Sequence, residues 1–208
     1  MSMQTTVVSK NTFQRAVWKN GLGHTDQIGI HPLNADLRRA DFLWRVSSAR
    51  IEQASDFSLF PNHDRVIVIL EGGGVKLTHH FPELNEEETV ELPESEPYEF
   101  PGDVKSRCEL LGGAVTDLSV FIRKGEVGAR VECLRFEESE EVREYFPEGR
   151  WNFLFVNKGV LLLESPQGKF RVEKGDCVRI ESIRPEDLVP VTLLAEELEL
   201  QVITIALG

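Results

Sequence analysis

The chain reads RVIVILEGGGVKLT from Arg65 to Thr78, an apolar run, three glycines and a second short run. Four consecutive β-branched residues in the first run are typical of a buried strand. The glycines predict a turn, because they accept backbone angles that other residues avoid. Alternating Val75 and Leu77 then predict a returning strand, and Gly102-Asp103 predicts a later turn into another strand.

The same order of features occurs again in the second half of the chain. WNFLFV (151–156) is a candidate strand, Asn157-Lys-Gly159 a turn, VLLLE (160–164) the return, and Gly175-Asp176 the later turn. Repetition of a supersecondary unit indicates duplication. We therefore expect an all-β protein with an N-terminal half of residues 1–125 and a C-terminal half of residues 126–208, packed as one compact unit.

Two segments depart from this strand pattern. Glu137 to Phe146 suits a short helix better than a strand. The segment Pro82–Pro97 carries seven Glu and no Lys or Arg, which favours a solvated insertion between strands over an acidic docking loop.

Bulk composition narrows the function classes. The net charge of −12, with Lys and Arg dispersed, disfavours nucleic-acid binding, because a phosphate backbone would be repelled. No apolar run approaches the roughly 18 residues of a membrane span, and the N-terminus lacks the profile of a secretory signal. The three cysteines are widely scattered, which disfavours a disulfide framework. We expect a cytoplasmic protein.

The strand, glycine-turn and Gly-Asp arrangement resembles the cupin superfamily of double-stranded β-helices, also called jelly-roll barrels. The N-terminal half is similar to the HutD/Ves family of bicupin-like bacterial proteins. Five motifs in the family's order carry this resemblance, although Ser119 and Phe121 stand where members usually have Asn and Met. The motifs are WxNGxGxT (18–25), WRVS (44–47), FSxFPxxDR (57–65), FxGD (100–103) and DxSxFxR (117–123).

The resemblance implies two related jelly-roll halves, a small polar pocket and an association with histidine utilisation. It also implies a non-catalytic role, in which binding of a pathway metabolite regulates or restrains flux. The expected partners are therefore small carboxylates such as urocanate, formiminoglutamate or formylglutamate. A homodimer is compatible with the sequence.

Strand alternation selects the candidate ligand-binding residues. Residues two apart on a strand share a face, so Arg45 and Ser47 face the same way, as do Asp117 and Ser119. If both faces line the mouth of a barrel, they form a pocket in which an Arg can hold a carboxylate with two hydrogen bonds. The predicted ligand-binding residues are Asn20, Thr25, Arg45, Ser47, Arg65, Asp103, Asp117 and Ser119. The alternative is that these polar faces meet water or form structural ion pairs.

Metal and nucleophilic chemistry are not expected. Metal-binding cupins use a His-x-His pair on one strand face, whereas His79 and His80 are adjacent and point to opposite faces. No catalytic nucleophile motif is present, so we predict no catalytic residue, no metal ligand and no cofactor. Two alternatives remain open: a cupin-type isomerase, hydrolase or metal-dependent oxygenase using Asp117 or Asp103 for acid–base work, and a structural or protein-interaction module.

Overall fold

Strands make up nearly all of the regular structure, with only two 3₁₀ helices, Lys10–Thr12 and Pro185–Asp187, in the described residues. The computed structural model describes residues 3–18, 23–136 and 141–207. None of the helices in these ranges is long and apolar enough to cross a bilayer. The strands are β1 (Gln4–Val8), β2 (Gln14–Val17), β3 (Gly23–His31), β4 (Trp44–Ile51), β5 (Ser55–Asp56), β6 (His63–Glu71), β7 (Val75–Phe81), β8 (Glu86–Leu92), β9 (Tyr98–Pro101), β10 (Lys105–Leu110), β11 (Val115–Arg123), β12 (Val127–Phe136), β13 (Glu141–Tyr145), β14 (Trp151–Ser165), β15 (Gly168–Glu173), β16 (Cys177–Glu181) and β17 (Val191–Leu207).

The chain divides into two structural units, one formed by Gln14–Glu126 and one by Met1–Phe13 together with Val127–Gly208. Residues 1–13 therefore belong with the C-terminal half, whereas the sequence pattern placed them in the N-terminal half. The reason is backbone pairing, which sequence patterns do not reveal: β1 runs antiparallel to β16 along its whole length. Asp176 strengthens this attachment, because its carboxylate accepts the Lys10 backbone N–H at 2.8 Å.

The unit Gln14–Glu126, called here the first unit, is a pair of antiparallel sheets. A six-stranded sheet has the order β2-β3-β4-β11-β6-β9, and a four-stranded sheet has the order β5-β10-β7-β8. The predicted turn at Gly72-Gly73-Gly74 joins β6 of one sheet to β7 of the other, and both Gly72 and Gly74 have positive φ angles. The core contains Ile51, Ile67, Ile69, Val75, Leu77, Leu92, Phe100, Cys108 and Val115.

The second unit is built around two long strands, β14 and β17, in a seven-stranded sheet. The turn predicted at residues 157–159 is not a chain reversal. Instead, β14 continues through it, with register shifts against β17 between Val156 and Val160 and a positive φ at Gly159. A bulge of this kind bends a strand without ending its pairing. The core is apolar and includes Leu154, Val156, Leu161, Leu163, Val172, Val178, Ile180, Leu193, Leu200 and Val202.

The two segments set apart from the strand pattern each contain a strand, so the predicted short helix was wrong, whereas the acidic insertion is solvent-exposed as expected. Glu141–Tyr145 is strand β13, paired with β17, and not part of a helix, whereas residues 137–140 lie outside the described residues. The acidic insertion contains strand β8, which pairs with β7 along Glu86–Leu92. Both strands have exposed residues on a sheet edge, where charged side chains are well tolerated. Pairing with a neighbouring strand therefore outweighs their weak intrinsic preference.

Candidate functional site

A cavity of about 760 Å³ opens in the first unit, within the range of about 300–1000 Å³ typical of small-molecule sites. Strands β4, β6 and β11 supply its buried charged side chains, and β2 and the loops after β3 and β5 supply most of its apolar ones. Its polar lining is Thr25, Arg38, Arg45, Ser47, Ser55, Asp56, Ser58, Arg65, Asp117 and Ser119. Its apolar lining is Ala16, Val17, Trp18, Leu37, Ala49, Ile51, Phe57, Leu59, Phe60 and Phe121.

Strand register brings the polar residues together. Ser47 lies opposite Ser119, and Phe121 lies opposite both Arg45 on β4 and Arg65 on β6. Directly paired residues of antiparallel strands point to the same face of the sheet. The alternating polar residues of three strands therefore form one polar surface, and five of the predicted residues on these strands line one cavity.

Arg65, Asp117 and Ser119 form a buried hydrogen-bonded cluster. Arg65 Nη2 lies 2.8 Å from Ser119 Oγ and 3.4 Å from Asp117 Oδ2. The other Asp117 oxygen accepts the Ala49 backbone N–H at 3.0 Å. The guanidinium carbon of Arg65 also lies 3.9 Å from the centroid of the Phe57 ring, close enough for a cation–π contact. These contacts hold Arg65 in place and provide it with a counter-charge.

Arg45 is buried with much less compensation. Only 7% of the residue is exposed, and its Nε donates to Gln27 Oε1 at 3.3 Å. Its guanidinium carbon lies 5.7 Å from the centroid of Phe121. Among the described residues, no acceptor lies within hydrogen-bond distance of its two terminal nitrogens, Nη1 and Nη2. These two nitrogens therefore remain available to donate hydrogen bonds to a ligand in the cavity.

The pKa values of Arg45 and Asp117 reflect an excess of positive charge in the cavity. Burial, and then the nearby Arg65, lower the pKa of Arg45 to about 10, so it stays charged at neutral pH. Burial raises the pKa of Asp117 to about 6, although Arg65 opposes this shift. At neutral pH, the single negative charge of Asp117 thus faces the positive charges of both Arg45 and Arg65. The buried face of the cavity has a net positive charge and suits an anion.

The remaining predicted residues are placed differently. Thr25 lines the cavity, and its hydroxyl oxygen accepts the Trp18 indole N–H at 2.9 Å. Asp103 is not brought to the cavity: its carboxylate forms an ion pair with Lys124 at 3.0 Å on the surface. Asn20 lies outside the described residues. The site therefore gathers Thr25, Arg45, Ser47, Arg65, Asp117 and Ser119 from the predicted set.

Sequence reasoning missed two contributors. Gln27 is two residues beyond Thr25 on β3 and hence on the same face, so alternation could have found it. Phe57 lies in an irregular segment, and no local pattern signals that its ring will cover Arg65. Aromatic side chains from loops are found only once the tertiary structure is known.

The histidines are used in other ways. The His79 ring is buried and its Nδ1 lies 2.7 Å from Ser106 Oγ, whereas the half-exposed His80 lies 3.6 Å from Glu87, so the pair does point to opposite faces. Both ring nitrogens of buried His63 contact backbone carbonyl oxygens. Within residues 3–18, 23–136 and 141–207, no three His, Cys, Asp or Glu side chains gather as a metal site would require.

The HutD family model matches residues 10–195, most of the chain. This chain belongs to the HutD family. An uncharacterised 21.2 kDa protein in the hutC 3′ region of Pseudomonas putida is 30% identical over 120 residues, covering 58% of this chain and 59% of that protein. Protein Ves of Citrobacter koseri is 36% identical over 116 residues, covering 55% and 56%. This chain thus spans less than two thirds of the length of these curated relatives.

Solved structures agree with this assignment. A conserved protein of unknown function, PA5104 of Pseudomonas aeruginosa PAO1, superposes with a TM-score of 0.84 at 25% identity, over 98% of this chain and 99% of that one. HutD of Pseudomonas fluorescens SBW25 gives a TM-score of 0.78 at 22% identity, over 99% and 100%. A variant of Bacillus subtilis oxalate decarboxylase gives 0.66 at 9% identity, over 96% and 76%, which shows a shared fold alone. The predicted cupin-like, all-β fold is confirmed.

Proposed function

We propose that the cavity of the first unit binds a small carboxylate, and that this HutD-family protein is a non-catalytic binding protein that regulates or restrains histidine utilisation. Membership of the family supports the link to this pathway, as does a relative named for its place in the hutC 3′ region. The candidate ligands are urocanate, formiminoglutamate and formylglutamate, each of which carries a carboxylate.

The observation that carries the proposal is the buried charge of Arg45, which makes no ion pair within hydrogen-bond distance among the described residues. Burying a charge without a partner is strongly unfavourable, and Arg45 has only the neutral amide of Gln27 as an acceptor. A carboxylate matches the planar fork of a guanidinium and can accept two of its hydrogen bonds. Arg65 is already bonded to Ser119 and Asp117, so its role is to position these groups and add positive charge.

Two hydroxyl groups are placed to orient such a ligand. Ser47 is buried, lines the cavity and has no hydrogen-bond partner among the described residues. The Thr25 hydroxyl accepts from Trp18, which leaves its own hydrogen able to donate. Both groups therefore have unused hydrogen-bonding capacity, which a polar ligand would satisfy.

Calorimetric titration of the three candidate compounds against wild type, Arg45→Ala and Arg171→Ala tests the proposal. Arg171 is the matched control, since it is an exposed arginine of the other unit. A charge-assisted hydrogen bond is worth roughly 1.5–3 kcal/mol, so Arg45→Ala should bind about ten- to a hundredfold more weakly. Arg171→Ala should bind like wild type. Failure of all three compounds to bind wild type, or equal binding by Arg45→Ala, contradicts the proposal.

A cupin-type enzyme is the second candidate, and Asp117 is the observation that favours it. A buried carboxyl with a pKa near 6 can give or take a proton at neutral pH, and Asp117 lies on the cavity wall 3.4 Å from Ser119. Prolonged incubation of each compound, followed by NMR, separates the two functions. The binding function predicts unchanged compounds, whereas the enzyme function predicts turnover that Asp117→Asn abolishes.

A further inference from the structure

Several exposed apolar side chains lie at the mouth of the cavity. Val17 on β2, Leu37 in the loop after β3 and Leu59 in the loop after β5 all line it, and 72%, 38% and 54% of these residues are exposed. They come from three separate parts of the chain, so their meeting at one opening is not a consequence of sequence proximity. Exposed apolar side chains that cluster around a concave site are typical of a ligand-binding groove.

This cavity combines buried charged groups with exposed apolar side chains. Three of the charged groups are deeply buried, since Arg45 and Arg65 are each 7% exposed and Asp117 is fully buried, whereas Arg38 and Asp56 are exposed lining residues. The exposed lining also contains the apolar residues Ala16, Val17, Leu37 and Leu59. A ligand that fits both features has an anionic group at one end and an apolar body at the other.

We propose that the site takes a carboxylate with an apolar chain or ring system, its head group on Arg45 and its apolar part against Val17, Leu37 and Leu59. This rests on the proposed function, because it uses the same cavity and the same arginine. It narrows the ligand class, since a small polar acid held at Arg45 leaves the apolar mouth uncovered. A cavity of about 760 Å³ has room for the larger molecule.

Titration with acetate, butanoate, hexanoate and octanoate tests this ligand class. Burial of each additional methylene group should tighten binding about fourfold, the equivalent of about 0.8 kcal/mol, until the chain passes the mouth. Leu59→Ser should flatten this dependence and leave acetate binding unchanged. Leu84→Ser is the matched control, because Leu84 is 66% exposed but does not line the cavity. Octanol should bind far more weakly than octanoate, because it lacks the charge that Arg45 recognises.

The outcomes separate this inference from the proposed function. Affinity that rises with chain length in wild type and Leu84→Ser, but not in Leu59→Ser, supports the inference even if no histidine-pathway compound binds. Affinity that does not depend on chain length overturns it, and the proposed function still stands if urocanate or a formylated glutamate binds through Arg45. If neither the acid series nor the pathway compounds bind, both proposals are wrong.

Discussion

Replacing Asp117 by asparagine changes the charge of the cavity with little change of shape. The wild-type carboxyl is fully buried, and one of its oxygens accepts the Ala49 N–H at 3.0 Å. An asparagine side-chain oxygen can accept the same hydrogen bond. The substitution therefore keeps this backbone contact and removes the ability of the group to bind or release a proton.

The sign and size of the effect follow from the pKa of Asp117. Burial raises it to about 6 from an ordinary value of 3.8, so between these pH values the folded protein binds more protons than the unfolded chain. The wild-type free energy of unfolding must then fall as the pH rises from about 4 to about 6, and the contribution is level above that. Each pKa unit corresponds to about 1.36 kcal/mol, so a difference of about 2 between the folded and unfolded states changes the free energy of unfolding by about 3 kcal/mol. Because an asparagine side chain does not titrate, the free energy of unfolding of Asp117→Asn does not have this decrease with pH.

Urea unfolding at pH 4, 5, 6 and 7 measures the prediction, with tryptophan fluorescence as the signal. The free energy of unfolding of Asp117→Asn, minus that of wild type, should increase by about 3 kcal/mol across this range. Asp103→Asn is the control, because Asp103 is an exposed carboxylate of the same unit. Parallel pH profiles for Asp117→Asn and wild type would show that Asp117 is not held in an environment that disfavours its charge.

Three further outcomes are expected. Calorimetry should show that wild type binds a carboxylate roughly tenfold more tightly at pH 5, where Asp117 is protonated, than at pH 7.5, where it is charged. The reason is that the charges of Asp117 and the ligand, if about 10 Å apart at an effective dielectric near 20, repel by roughly 1.7 kcal/mol. Asp117→Asn should show no such change. Arg45→Met should lose carboxylate binding yet unfold in urea within about 1 kcal/mol of wild type or above it, because an apolar side chain removes an uncompensated buried charge. Deletion of residues 1–8 should expose the edge of β16, so that amide hydrogen exchange accelerates across Cys177–Glu181 and thermal stability falls.

Much of the site could be predicted because strand alternation is a local property. The pattern around Arg45 and Ser47 places both side chains on one face, whatever strand lies alongside, and the same holds for Asp117 and Ser119. Sequence alone does not show that these two strands are neighbours or that Ser47 lies opposite Ser119. Register depends on long-range backbone pairing, so the family resemblance was needed to bring the two faces together.

The distinction between the two arginines could not be predicted. Arg45 and Arg65 are equivalent candidates by residue type and strand position, yet only Arg65 has a carboxylate and a hydroxyl within hydrogen-bond distance. The difference depends on side-chain placement to within an ångström. The failure at β13 has a related cause: its pairing with β17 is a tertiary interaction, and its own composition suits a helix equally well.

The polar groups buried in the first unit are gathered at its cavity, and this gives a further reason to look for function there. In the second unit, the buried amide of Asn152 donates to the Gly149 and Ile180 carbonyls and accepts backbone N–H groups, so its polarity is satisfied within the protein. In the first unit, Arg45 has only the Gln27 amide oxygen as an acceptor, and Ser47 has no hydrogen-bond partner among the described residues. Apolar residues of similar size would pack there at no loss of stability. Because these groups lie together on the wall of one cavity, a ligand that completes their hydrogen bonds best explains why they are kept there.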